Sequence, residues 1–495
     1  MTLMGLRPDG ISISLSDLGK QIQRATSLDA LITGVTHDSR QVQSGDLFVA
    51  ISGLDHHGIK FLDQALANGA VAVASDASGV AVAGELGIPT LLLEDARSDM
   101  ALVAASIYGH PQKHMRIVGV TGTNGKTTVT HIVKSFLQDA GQKVGMIGTL
   151  GSFVDDEPVP STRTTPESTD LFALLAIMAQ RSVDVVVMEV SSHALELGRV
   201  DHVMFDVAVF TNLTQDHLDF HGDMQSYFDA KYKLFTPERC ASAVVCVDDV
   251  WGKQLSEQIS VPTQTVSLSD LGATWRAKHV SSGAGQTTFE IEHDGQPRAK
   301  CAINLLGDFN VANALEALVV CQELGFELDS LIRSALNIRP VPGRLEIIAL
   351  AEASFAVVDY AHTPDAVEKV LTQLRKQSPQ RIITVIGCGG DRDALKRPHM
   401  GRIAGDLSDV VIVTDDNPRL EVPAEIRAAV LAGVTRSTAI EIADRREAIR
   451  EALKIAGPGD IVAVLGKGHE LGQEIQGMVH PFNDVTVIRE ESQRA

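Results

Sequence analysis

One stretch, residues 116–141, constrains the fold more than any other. It reads as an apolar strand, a Gly/Thr loop and an amphipathic helix in immediate succession. The strand is Arg116 to Val120, and the loop is Gly122-Thr123-Asn124-Gly125-Lys126-Thr127-Thr128. Val129, Ile132, Val133, Phe136 and Leu137 then recur at helical spacing, and Gly141 is a natural stop. Glycines in such a loop let backbone N–H groups curl around phosphate oxygens, and the helix N-terminus adds favourable partial charge. Lys126 is placed to reach the β- and γ-phosphates of a nucleotide, and the Thr127 hydroxyl to bind Mg²⁺. The spacing departs from the usual phosphate-loop pattern in one respect. The earlier glycine is Gly119, one residue too soon, and Val120 stands where the pattern expects it.

Alternation of apolar strands with helices continues along the chain. Val183 to Met188 and Val207 to Phe210 are strand candidates, followed by Phe355 to Val358, Ile382 to Ile386, Val410 to Val413 and Ile461 to Leu465. Continuous apolar strands separated by helices predict an α/β fold with parallel sheets covered on both faces. Each of the last four strands runs straight into a polar cluster: Asp359 to His362, Gly387 to Asp393, Asp415 to Arg419, and Gly466 to Glu470. Ligands of open α/β sheets bind beyond the carboxyl ends of the strands, so these four clusters predict one composite site. Gly109-His110-Pro111-Gln112 and Arg339-Pro340-Val341-Pro342-Gly343 read as linkers, because paired prolines and glycines resist both helix and central strand. They divide the chain into units 1–113, 114–341 and 342–495.

Composition narrows the class of function. The formal charge of −20 argues against non-specific binding to nucleic acid or to an anionic membrane, so an anionic ligand must be met by local cations. Five scattered cysteines without a CxxC pair read as reduced thiols rather than a disulfide framework or a zinc site. Met1 to Lys20 lacks the pattern of a signal peptide, and no apolar run reaches the ~18 residues of a membrane span. A cytoplasmic monomer is expected. For metal chemistry, Glu189 ends an apolar strand where a magnesium-binding carboxylate is suited, and His217 follows another. His217 fits either a second divalent ion or an orienting contact to phosphate.

Together these segments, from Thr36-His37-Asp38-Ser39-Arg40 to Gly466-Lys467-Gly468-His469-Glu470, resemble the Mur ligase family of ATP-dependent amide-forming enzymes in peptidoglycan synthesis. The resemblance implies three domains: one for the UDP end of the substrate, a central P-loop ATPase domain, and a Rossmann-like C-terminal domain for the incoming amino acid. The implied reaction phosphorylates the γ-carboxylate of UDP-N-acetylmuramoyl-L-alanyl-D-glutamate with ATP. An amino acid then attacks the acyl phosphate. By the same resemblance Lys126, Thr127, Glu189 and His217 serve phosphate and metal, and Asn310 and Asn313 approach the nucleotide base. Arg344, Asp359 and His362 would close on ATP from the last domain. Lys231 matches the lysine carbamylated by CO₂ into a magnesium ligand, with Lys233 as a nearby decoy.

For the UDP substrate the matching positions are His37, Ser39, Leu54, Asp55 and His56, and then Thr164, Thr165, Ser191, Leu197 and Arg199, with Arg163 as a further source of charge. His37 and Leu197 depart from the family pattern, which commonly has an apolar residue and a Gln there. Asp416-Asn417-Pro418-Arg419 matches the meso-diaminopimelate recognition motif, and Arg392, Gly466 and Glu470 match its other contacts. A guanidinium grips a carboxylate through paired hydrogen bonds, and L-lysine has no distal carboxylate. On this reading lysine would leave Arg419 buried without a partner, which predicts strong discrimination. The alternatives are an L-lysine-adding relative, a folylpolyglutamate synthase-like ligase, and a silent nucleotide-binding scaffold. Asp38-Ser39-Arg40 and Gly45-Asp46-Leu47-Phe48 favour the murein branch.

Overall fold

The strand–loop–helix unit of residues 116–141 lies in the interior of the largest sheet. A computed structural model describes residues 7–493 apart from 54–55, 160–162, 284–285, 352–353, 378 and 392. Arg116–Thr121 lies between Val185–Glu189 and Phe205–Phe210 in a parallel block, with Val144–Gly148 beyond one and Cys240–Cys246 and Thr263–Ser267 beyond the other. These strands are apolar throughout because both faces are covered. Helix Lys126–Asp139 packs its buried face, Val129, Ile132, Val133, Phe136 and Leu137, into one core with Val311, Leu315 and Leu318 of helix Asp308–Glu323.

The parallel expectation for this sheet is incomplete. It has eleven strands, with antiparallel extensions at both edges. Gly151–Val154 and Glu157–Val159 extend one edge. Trp275–Gly283 is barely joined to the parallel block, and a meander through Gln286–His293 and Gln296–Ile303 completes the other. In Gln286–His293 only alternate residues, Thr287, Phe289 and Ile291, are buried. A sheet with one wet face needs apolar residues only at every second position, so continuous apolar runs do not reveal it.

The N-terminal residues form a separate four-stranded parallel sheet from Gly34–Thr36, Asp46–Ala50, Ala72–Ser75 and Thr90–Leu92. Its core is not separate. Leu18, Leu47 and Val103 join Phe172, Leu175 and Phe205 in a single buried cluster. After Arg339–Gly343 comes a six-stranded sheet. Phe355–Asp359, Ile461–Leu465, Ile382–Ile386, Val410–Val413 and Thr438–Glu441 run parallel, in that spatial order, and Glu346–Ala349 is an antiparallel edge. A hairpin, Gly472–Ile475 with Met478–Pro481, stands beside its carboxyl end. Among the described residues no helix is long and apolar enough to cross a membrane.

Candidate active site

The loop after Arg116–Thr121 curls because its glycines adopt backbone angles other residues avoid. Gly122 has φ 143° and Gly125 has φ 91°. A Cβ on Gly122 would lie 2.0 Å from the Thr211 hydroxyl, and one on Gly125 2.6 Å from Asn313 Oδ1. Lys126 folds back inside the loop, its Nζ 2.9 Å from the carbonyl oxygens of both Gly122 and Thr123. Lys231, one helix away, donates to the same Gly122 oxygen at 3.0 Å and lies 4.6 Å from the centre of the Tyr227 ring. Burial, then repulsion from Lys126, holds the Lys231 amine well below the usual lysine range, and burial lowers Lys126 despite Glu189 and Asp216. The helix-surface alternative for Lys231 fails, since it is 1% exposed.

Around this pair stand groups from both large sheets. The Glu189 carboxylate accepts from the Thr149 N–H at 2.8 Å and its hydroxyl at 3.0 Å. Arg344 donates to the Thr127 hydroxyl at 3.0 Å and stacks over Tyr360. Asp359 accepts from the Leu345 N–H at 2.7 Å, and its burial pushes the carboxyl up. Asn313 donates to Asn310 at 3.1 Å, and Asn310 to the Leu306 carbonyl at 2.8 Å.

Asp216, which sequence reasoning passed over, is where the two sheets meet. His217 Nε2 lies 3.4 Å from its carboxylate, and His362 Nε2 and Lys396 Nζ reach it at 3.7 Å from the last sheet. Against the opposing effect of burial, the hydrogen bond from His362 and the neighbouring His217 and Lys396 hold the Asp216 carboxyl well below its ordinary range. Burial lowers His217 to about 3. The only signal in the sequence was its place beside His217. Among the described residues no three His, Cys, Asp or Glu side chains gather as a metal cage. The oxygen donors present, Thr127 and Glu189, suit a magnesium ion that keeps water and phosphate ligands. Lys231 fits that ion only as an anionic carbamate, since an ammonium would repel it.

These residues line one cavity of about 820 Å³. Its walls include Thr123 to Thr128, Glu189, His217, Asn310, Asn313, Arg344, Asp359 and His362. All four strand-end clusters of the last sheet enter it, through Asp359 to His362, Gly387 to Gly389, Asp416, Asn417 and Arg419, and Gly466 with Glu470. Gly122, Lys231 and Pro418 sit behind the wall. Thr164 and Ser191 reach the cavity, while Thr165, Leu197 and Arg199 do not. Thr165 ties the Glu189 carbonyl to Ser191, and Arg199 is paired with Glu167 at 2.7 Å. His37 bonds Thr169 at 3.0 Å, Ser39 donates to Gln64 at 2.7 Å, and the His56 carbonyl accepts from Gly53, all away from this cavity. Arg163 is exposed beside Thr164. Leu54, Asp55 and Arg392 lie outside the described residues.

At the far end Lys467, also missed, is fully buried and organises the floor. It donates to Asn417 Oδ1 at 3.0 Å and Glu470 Oε2 at 2.8 Å, and Asn417 donates to Glu470 at 2.7 Å. Arg419 corrects the expectation of a buried, partnerless guanidinium. Its side chain is 22% exposed, and its Nε lies 3.3 Å from Glu474 Oε2 on the hairpin. A motif of four consecutive residues cannot reveal a partner supplied by a strand fifty residues later.

Three family models match the chain. The Mur ligase family catalytic domain covers residues 31–102, the Mur ligase middle domain 120–321, and the Mur ligase glutamate ligase domain 343–468. A UDP-N-acetylmuramoyl-L-alanyl-D-glutamate–2,6-diaminopimelate ligase of Streptomyces avermitilis is 45% identical over 99% of this chain and 98% of its own. A solved structure described by the same activity is 33% identical with TM-score 0.68, covering 98% of this chain and 99% of that one. A MurF ligase of Thermotoga maritima in complex with ADP shares the fold at 19% identity, TM-score 0.65, over 93% of this chain and 97% of its own.

Proposed function

The chain belongs to the Mur ligase family, and from that premise we propose that it joins meso-diaminopimelate to UDP-N-acetylmuramoyl-L-alanyl-D-glutamate at the expense of ATP. The observation that carries this reading is a single cavity with a phosphate loop at one end and Asp416, Asn417 and Arg419 at the other. The chemistry requires that juxtaposition. The γ-carboxylate of the substrate takes the terminal phosphoryl group of ATP, and the amine displaces phosphate from the resulting acyl phosphate. Nucleotide and amino acid must therefore flank the same carboxyl carbon.

In this reading the chain works by positioning and charge. The backbone of Gly122 to Thr128, with Lys126, cradles the phosphates. Lys126 now spends its protons on carbonyl oxygens of its own loop, and phosphate oxygens are the better acceptors. Arg344 brings a second cation from the last sheet to the edge of the loop, His362 reaches across to Asp216, and Asp359 lines the cavity beside them. Asn310 and Asn313 lie on the helix that flanks the base. Thr127, Glu189, His217 and Lys231 would hold magnesium, which neutralises charge on the transferring phosphoryl group when bound. Burial favours the neutral Lys231 amine, the form that adds CO₂ and loses a proton to become a carbamate.

Arg419, Asn417 and Glu470 form the diaminopimelate end, with Asp416 and Gly466 beside them and Arg392 assigned by resemblance alone. Ser39, His37, His56, Thr164, Thr165, Ser191 and Arg199 belong to the path of the UDP substrate. The three units 1–113, 114–341 and 342–495 would each contribute one ligand site in a cytoplasmic monomer. The test is ADP formation with the UDP-dipeptide and each amino acid in turn. Turnover with meso-diaminopimelate well above that with L-lysine is expected, and turnover with lysine alone would overturn the amino-acid assignment.

A further inference from the structure

Arg419 is docked on the hairpin before its side chain does anything. Its N–H donates to the Glu474 carbonyl at 3.0 Å, and its own carbonyl accepts from the Gln476 N–H at 2.7 Å. The hairpin in turn is clamped to the recognition loop, because the Glu474 N–H donates to Asn417 Oδ1 at 2.9 Å and Gln473 Nε2 to the Asp416 carbonyl at 2.7 Å. These bonds hold Arg419 at φ 50°, a left-handed conformation that an arginine does not adopt unaided. Backbone geometry therefore sets the two side chains beside each other.

The guanidinium is then pinned at two corners. Glu474 Oε2 faces Nε at 3.3 Å, and the Gly390 carbonyl accepts from Nη1. The plane also needs Gly389, since a Cβ there would lie 3.0 Å from Nη1. A guanidinium has five N–H donors; one on Nη1 goes to Gly390 and the Nε edge is turned to Glu474, which leaves both donors on Nη2 and one on Nη1 for a ligand. Arg419 lines the cavity and Glu474 does not, so the acid stands behind the arginine rather than in the ligand's place. The cavity already has Asp416 and Glu470 to meet an ammonium group.

We infer that Glu474 is a positioning residue for amino-acid specificity: it fixes the Arg419 guanidinium so that its remaining donors meet the distal carboxylate of a diamino diacid. This deepens the function proposed above and rests on it. An arginine side chain is otherwise free to rotate about several bonds, and a fixed one loses less freedom on binding.

The experiment is steady-state kinetics of Glu474→Ala and Glu474→Gln with meso-diaminopimelate and with L-lysine, at saturating ATP and UDP-dipeptide. Glu474→Ala should raise KM for diaminopimelate about tenfold with kcat nearly unchanged. Glu474→Gln, whose amide oxygen can still face Nε but carries no charge, should recover part of the loss. Turnover of lysine and KM for ATP should not move. An unchanged or lower KM in Glu474→Ala overturns the inference, as does an equal loss with both amino acids, which would mark general damage to the hairpin. A wild-type enzyme with no preference for diaminopimelate overturns the reading of Arg419 itself, and Glu474 with it. Normal wild-type preference retained in Glu474→Ala overturns Glu474 alone.

Discussion

The two ends of the cavity handle positive charge in opposite ways. At the phosphate loop, Lys126 is buried against carbonyl oxygens, which are neutral dipoles. At the amino-acid end, Lys467 and Arg419 already face the acids Glu470 and Glu474. A cation held by dipoles gains much from an arriving anion, so that end is built for strong attraction. A cation already paired gains less, but its geometry is settled in advance. On the proposed function, one end would supply driving force for phosphoryl transfer and the other selection.

The comparison breaks most sharply at Lys126. Lys126→Ala should lower phosphate release roughly a thousandfold, the scale for removing a preorganised charge from a dry site, with circular dichroism unchanged. Normal turnover at saturating substrate would remove the lysine from the chemistry. Lys231→Ala should fall by about a hundredfold or more and be partly restored by short carboxylic acids, which can stand in for a carbamate oxygen. Intact-mass analysis finding only the free amine in active enzyme would contradict the carbamate.

At the selecting end the expected effect is smaller. Arg419→Ala should lose about a hundredfold in kcat/KM with meso-diaminopimelate and gain little with lysine. The pairing with Glu474 keeps lysine from stranding a bare charge, so discrimination is bounded more tightly than an unpartnered arginine would imply. A ratio of diaminopimelate to lysine activity above about 10⁵ would contradict that bound.

The smallest effect is one of pH. Burial, and then Arg344, lowers His469 from 6.5 to about 4. Between those values the unfolded chain binds the proton and the folded one does not, so stability rises with pH across the window. The contribution is complete above pH 6.5 and disappears as pH falls towards 4. His469→Gln should therefore flatten the fall in Tm between neutral and mildly acidic buffer. Parallel melting curves for the two proteins would show that this histidine titrates normally.

How far the sequence revealed all this depends on the kind of signal. Strands buried on both faces, such as Ile382–Ile386 and Ile461–Leu465, are runs of apolar residues and were legible to the residue. The half-wet meander from Trp275 to Ile303 and the exposed edge Thr438–Glu441 were not, since neither needs a continuous apolar run. Motif residues such as Lys126 and Arg419 could be named because their spacing carries a mechanism. Asp216, Lys467 and Glu474 owe their roles mainly to partners far along the chain (His362 and Lys396, Asn417, and Arg419), and pairing across the fold leaves little local trace. The free guanidinium assumed for Arg419 was wrong for that same reason.

The buried cluster shared by the first two sheets has a mechanical consequence. Leu18, Leu47 and Val103 cannot part from Phe172 and Leu175 without exposing apolar surface to water, so those sheets travel together. The last sheet follows Arg339–Gly343 and meets the rest both through polar bridges such as Arg344 to Thr127 and His362 to Asp216, and through Leu306 and Phe309, which pack into its core. Parting the last sheet from the other two would therefore have to break those bridges and also uncover Leu306 and Phe309.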